Sequence, residues 1–129
     1  MTIRVLLADD QPFVRQAIRL MIDAEPDLEV VAEASSGMSA VTACRAGTVD
    51  VVLMDNHMPG LSGVEAARQI TSDPRLAGVR VLMHTAFLTA DLVSDDISAG
   101  ISGFLQKGVD PGTLVRSIHD VHQARTHAG

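Results

Sequence analysis

The sequence predicts a three-layer α/β domain built on a parallel sheet, and two observations carry that prediction. Apolar runs rich in Val, Ile and Leu alternate with stretches of helical spacing, five of each. The central runs are continuous rather than alternating, as parallel strands covered on both faces require. The strand runs are "IRVLLA" (3–8), "LEVVAEA" (28–34), "VVLM" (51–54), "VRVLM" (79–83) and the short "SGFLQ" (102–106). The second carries Glu29 and Glu33 and the fifth is short, so both are expected at sheet edges.

The helices follow from spacing. Phe13, Ala17, Leu20, Met21 and Ala24 predict the apolar face of the first, with Pro12 at its start. Ala40, Val41, Cys44 and Ala46 suggest the second, and Val64, Ala67 and Ile70 the third. Leu92, Val93 and Ile97 suggest the fourth, and Leu114, Val115, Ile118 and Val121 the fifth. Thr, Ser and Asp crowd the fourth and compete for their own backbone groups, which predicts the fastest amide exchange of the five. The pattern is lost in "HQARTHAG", so the domain is expected to span 1–123, with 124–129 a tail or the start of a linker.

Composition narrows the function. The 129 residues suit one domain, and 47% hydrophobic content suffices for one core. No apolar run approaches the roughly 18 residues that cross a bilayer. The acids at positions 9 and 10 come too early for a signal peptide. The single Cys44 has no internal partner for a disulfide, and together these features predict a cytoplasmic protein with no membrane partner. A net charge of -6 disfavours direct binding of nucleic acid, which needs a basic surface, and favours cation binding.

The polar residues collect where the strands end. Asp9 and Asp10 follow the first strand, Asp55 the third, Thr85 the fourth and Lys107 the fifth. In open α/β sheets, ligands bind outside the carboxyl ends of the strands, where strand order reverses. For the flavodoxin-like order 2-1-3-4-5, that place lies between strands one and three, so Asp9, Asp10 and Asp55 should converge. Singly, Asp10 reads as a helix cap or a solvated turn, Thr85 as an ordinary strand residue and Lys107 as a turn lysine. Their conjunction points to a site. Three adjacent carboxylates repel one another, and a hard divalent cation such as Mg²⁺ removes that cost. With Lys107 and the Thr85 hydroxyl, the group suits a phosphoryl moiety, and a carboxylate is a competent nucleophile for one.

With "VLLADDQPFVRQAI", "VVLMDNHMPGLSGVEAAR", "VLMHTAF" and "AGISGFLQKG" in order, the chain resembles the receiver domain of two-component response regulators over roughly Ile3 to Gln123. The wording is most similar to the NarL/FixJ subfamily, which carries a C-terminal LuxR-type helix-turn-helix domain. The resemblance implies a flavodoxin-like (βα)5 sandwich with Asp55 as phosphoacceptor. It implies Mg²⁺ held by Asp10, Asp55 and the backbone carbonyl of His57, with Asp9 acting through water. Thr85 matches the hydroxyl that swings toward the phosphoryl group, Lys107 the phosphate-pairing lysine, and Phe104 the aromatic rotamer switch. It further implies a sensor histidine kinase as partner, small donors such as acetyl phosphate, and homodimerisation on activation. The surface around the fourth helix, fifth strand and fifth helix would change, and DNA would be bound only through an output domain outside these residues. Such a domain is a signalling module, catalysing only its own phosphotransfer and dephosphorylation.

Some positions depart from the subfamily pattern. His57 stands where Arg, Lys or Asn is more common, and with Phe87 it is expected to flank the mouth of the site and slow phosphoryl loss. Gly108 follows Lys107, where Asp or Pro is usual and the peptide is often cis, a form that costs a non-proline residue roughly 2.5–4 kcal/mol. His84 should face the opposite side of the sheet from Thr85. His119 and His122, one turn apart, suit a solvated helix face better than a metal site, and His127 lies in the tail. Two other readings share these residue types. A phosphatase of the haloacid dehalogenase type wants two acids spaced two residues apart after the first strand, whereas Asp9 and Asp10 are adjacent. A phosphorylation-independent or ligand-controlled interaction module would keep the fold and not need the intact acids.

Overall fold

The computed structural model describes residues 2–123, with the side chains of residues 95–98 excepted. Five strands, β1 (Ile3–Ala8), β2 (Leu28–Ala34), β3 (Val51–Asp55), β4 (Arg80–Thr85) and β5 (Gly103–Gln106), alternate with five helices. The helices are α1 (Pro12–Asp23), α2 (Gly37–Ala46), α3 (Gly63–Thr71), α4 (Ala90–Ser98) and α5 (Pro111–Gln123). All strand pairs are parallel, in the order β2-β1-β3-β4-β5. The two expected edges are therefore the edges. The interior strand β3 is buried at every residue, whereas β2 alternates along most of its length between buried and exposed positions.

Each face of the sheet has its own core. Val5, Leu7, Val51, Leu53 and Leu82 pack under α1 and α5 with Ile18, Ile22, Leu114 and Ile118. Leu6, Val52, Met54, Val81 and Met83 pack under α2 and α3 with Ala40, Val41, Ala67 and Ile70. Strand periodicity of two sends consecutive residues to opposite layers, which is why these runs are apolar throughout. Burying a side chain such as Ile22 or Leu114 contributes about 1.5–3 kcal/mol. Ser36 and Ser62 cap α2 and α3 by accepting from the backbone N–H three residues on.

The first helix corrects the sequence reading. Phe13 is 87% exposed and Leu20 68%, and Ala17 and Ala24 are also exposed. The buried residues are Ile18 and Ile22, flanked by half-buried Val14 and Met21. Two apolar stripes run along this helix, and spacing alone does not choose between them. Polar anchors on one side fix its rotation. Arg15 Nη1 donates to the Asp9 carbonyl at 2.6 Å, and Arg15 and Arg19 pair with Glu33 of β2. Elsewhere the expected faces are buried or, at Val64, Leu92, Val93 and Val115, half-buried, apart from Ala46, which is exposed, and Ile97, whose side chain is outside the described set. His127 and the tail also lie outside the described residues.

Candidate functional site

Register brings the strand ends to one rim. Ala8 pairs with Met54, Asp55 with His84 and Thr85 with Gln106, so the residues at or just past these ends share one edge of the sheet. Loops there carry Asp9 and Asp10 after β1, Asn56 to Ser62 after β3, and Lys107 after β5. This is the convergence that the strand order predicts at the β1/β3 switch.

Carboxylate oxygens of Asp9, Asp10 and Asp55 lie within 4.8 Å of one another. Asp9 and Asp55 are buried and Asp10 is exposed. Asp10 does not cap α1: that position is Gln11, whose N–H donates to Asp9 Oδ1 at 2.9 Å. The Lys107 ammonium stands 3.0 Å from Asp9 Oδ2 and 3.3 Å from Asp55 Oδ2. Asp55 Oδ1 accepts the His57 N–H at 3.2 Å. Asp9 Oδ2 is buried and, despite the nearby ammonium, has no donor aligned for a hydrogen bond.

The electrostatics follow from burial. Desolvation pushes the Asp55 carboxyl above the usual carboxylate range, and the Asp9 charge adds to it. The His57 N–H and the Lys107 charge oppose that rise without cancelling it. Burial alone would lower the Lys107 ammonium, but its pairs with Asp9 and Asp55 outweigh that and hold it above its ordinary value. One positive charge among three acids leaves a net negative hollow lined by oxygen donors. Such a donor set, with a buried carboxylate oxygen lacking an aligned partner, fits a hard divalent cation.

Thr85 is buried on the face opposite His84, and among the described residues its hydroxyl has only a long contact, 3.5 Å, to the Phe87 carbonyl. Phe104, half-buried, packs on the α2/α3 side beside Met83, the same side as Thr85. His57 is exposed at the rim, and Phe87 is 78% exposed. The Lys107–Gly108 peptide is trans, and Gly108 has φ +93°, a left-handed conformation that favours glycine. His119 pairs with Asp27 at 3.0 Å rather than joining His122.

Two residues at the site have no local signal in the sequence. Arg15 holds the Asp9 backbone from the second turn of α1, a contact that exists only once the loop folds back. Gly63 starts α3 directly against the β3 end, where an added Cβ would meet the Asp55 carbonyl oxygen.

Comparison with known proteins agrees with this geometry. The family model described as "Response regulator receiver domain" matches residues 5–119. The chain is 41% identical over 125 residues to Response regulator UvrY of Escherichia coli O6:H1, covering 97% of this chain and 56% of that protein. It is 40% identical over 116 residues to the uncharacterized transcriptional regulatory protein YxjL of Bacillus subtilis, covering 90% of this chain and 52% of that one. The chain thus spans about half the length of these curated relatives. Among solved structures, a LuxR-family two-component response regulator from Aurantimonas superposes with TM-score 0.89 at 35% identity, covering 97% of this chain and 88% of that chain. The receiver domain of the putative response regulator NarL from Mycobacterium tuberculosis also gives TM-score 0.89, at 30% identity, covering 95% of this chain and 97% of that one. By sequence, by fold and by the acids gathered at the β1/β3 rim, this chain belongs to the response regulator receiver domain family.

Proposed function

We propose that Asp55 is the phosphoacceptor of a phosphorylation-driven switch. The observation that carries this reading is the Lys107 ammonium poised between Asp55 and Asp9 beside a third acid, Asp10. An Asp55 carboxylate oxygen attacks phosphorus in line. The P–N bond of a phosphohistidine, or the P–O bond of acetyl phosphate, breaks as the new P–O bond forms, and the leaving group keeps the electron pair. Asp10, Asp55 and the His57 carbonyl, with Asp9 through water, would hold a magnesium ion, which would supply positive charge for the transferring oxygens. Lys107 offers its ammonium to one of those oxygens, exchanging a carboxylate partner for a phosphoryl one.

The switch uses groups that are loosely held at rest. The Thr85 hydroxyl gives up little by leaving its 3.5 Å contact and donates to a phosphoryl oxygen instead. That motion opens space for Phe104 to turn inward from its half-buried position, reshaping the surface of α4, β5 and α5. Phosphorylation shifts the population only by its differential stabilisation of the active arrangement. The receiver domain spans 1–123, with the remaining residues a tail or linker toward an output domain. The chain acts in the cytoplasm, and its partners are a sensor histidine kinase and a second copy of the chain on activation. DNA is bound through the helix-turn-helix output domain, which gives control of transcription.

Intact-mass measurement after acetyl phosphate and Mg²⁺ tests the reading. A single phosphoryl adduct is expected, absent without Mg²⁺ and absent in Asp55→Asn. No adduct, or an adduct that survives that substitution, favours a phosphorylation-independent module.

A further inference from the structure

Beneath the acid cluster, on the α1/α5 side of the sheet, lies a cavity that the phosphoacceptor chemistry leaves unused. Its volume is about 300 Å³. Ala17 and Met21 of α1 form one wall, Val109 and Leu114 another, and His84 and Lys107 are its polar residues. His84 is 5% exposed, and no hydrogen bond reaches its imidazole among the described residues. The imidazole nitrogens keep some access to solvent, so a molecule in the cavity can take the place of water there.

We propose that this cavity binds a small neutral ring compound, of one or two fused rings, whose single hydroxyl or N–H group bonds to the His84 imidazole. Size sets the first limit. A dry cavity of roughly 150 Å³ takes a benzene, so twice that takes a fused pair of rings, whereas a helix about 10 Å across does not enter. Polarity sets the second. The neutral imidazole of His84 presents one donor and one acceptor. Charge sets the third. Lys107 is already shared by Asp9 and Asp55, and an anionic ligand would have to draw it off both. Phe13, 87% exposed and also lining the cavity, offers an aromatic face at the entrance.

The occupant would touch Lys107 and the residue preceding Thr85, so binding and phosphorylation are coupled reciprocally. That coupling rests on the phosphoacceptor reading; the binding itself does not.

The test is a titration of the whole chain with 2-naphthol, and with naphthalene as the analogue lacking the hydroxyl, followed by amide and imidazole NMR without Mg²⁺ or phosphate. Saturable one-to-one shifts are expected, centred on Ala17, His84 and Val109. His84→Leu should weaken 2-naphthol by about fivefold while leaving naphthalene within about twofold. Ala17→Trp, at an exposed position of α1, should fill the cavity and abolish both. Shifts that do not saturate, or that survive Ala17→Trp, overturn the site, and equal weakening of both probes in His84→Leu overturns the hydrogen bond. If the same amides shift with protein concentration alone, and Ala17→Trp abolishes that, the cavity takes a second copy's side chain and the proposal fails. The coupling is read separately as the rate of adduct formation from acetyl phosphate. A change with 2-naphthol that Ala17→Trp removes supports it, and binding without a rate change overturns the coupling alone.

Discussion

A Cβ on Gly63 would stand 2.3 Å from the carbonyl oxygen of Asp55. The first residue of α3 is therefore pressed against the backbone of the candidate phosphoacceptor, and the Gly63 N–H bonds to the Asn56 carbonyl at 3.2 Å. Backbone, unlike a flexible side chain, has little room to yield. Gly63→Ala should destabilise the fold by about 1–3 kcal/mol despite its higher helix propensity. The urea midpoint of the variant against the parent chain checks this; an unchanged midpoint would show that the loop gives way cheaply.

Asp10→Asn separates stability from metal binding. Removing one of three clustered negative charges should raise metal-free stability by about 0.5–1 kcal/mol, the modest size reflecting the exposure of Asp10. Added Mg²⁺ should stabilise the parent chain by mass action and the variant much less. Thermal melts with and without Mg²⁺ read both effects. A variant no more stable than its parent in chelator would refute the crowding argument.

Lys107→Met leaves Asp9 and Asp55 buried without their counter-charge. Because the lysine side chain is 22% exposed, the cost should stay near 1–3 kcal/mol, below that of a fully buried pair. Asp55, already raised by burial, would rise further. A carboxyl with a raised folded value favours the fold when protonated. The penalty should thus be full at neutral pH and fade as pH falls into the carboxylate range. Urea titrations of parent and variant across that range give the difference curve.

His84 predicts a distinct acid-side loss. Its folded value of about 4 lies below the ordinary 6.5, so the unfolded chain binds the extra proton first as pH falls. Stability from this group is complete above about pH 6.5 and declines toward pH 4, by up to about 3 kcal/mol. His84→Leu should flatten the pH dependence of unfolding free energy in that window. An equally steep decline in both chains would assign it to the carboxylates instead.

Sequence alone determined the alternation of elements, the two edge strands and the five polar residues at or just past the strand ends. These are properties of local pattern: a run such as "VVLM" has to be covered on both faces, and Asp55 ends it wherever the strand sits. The resemblance added the roles, and the register of β1, β3 and β4 brought the acids to one rim. Only the tertiary structure decided the rotation of α1, because Phe13, Ala17 and Leu20 make as good an apolar stripe as Val14, Ile18 and Ile22. The choice came from Arg15 and Arg19 reaching Glu33 and the Asp9 carbonyl, contacts between residues far apart along the chain or turned back on a loop. The cavity beside His84 is likewise invisible in the sequence, since its walls come from α1, β4 and the start of α5 and meet only when both helices pack on the same face.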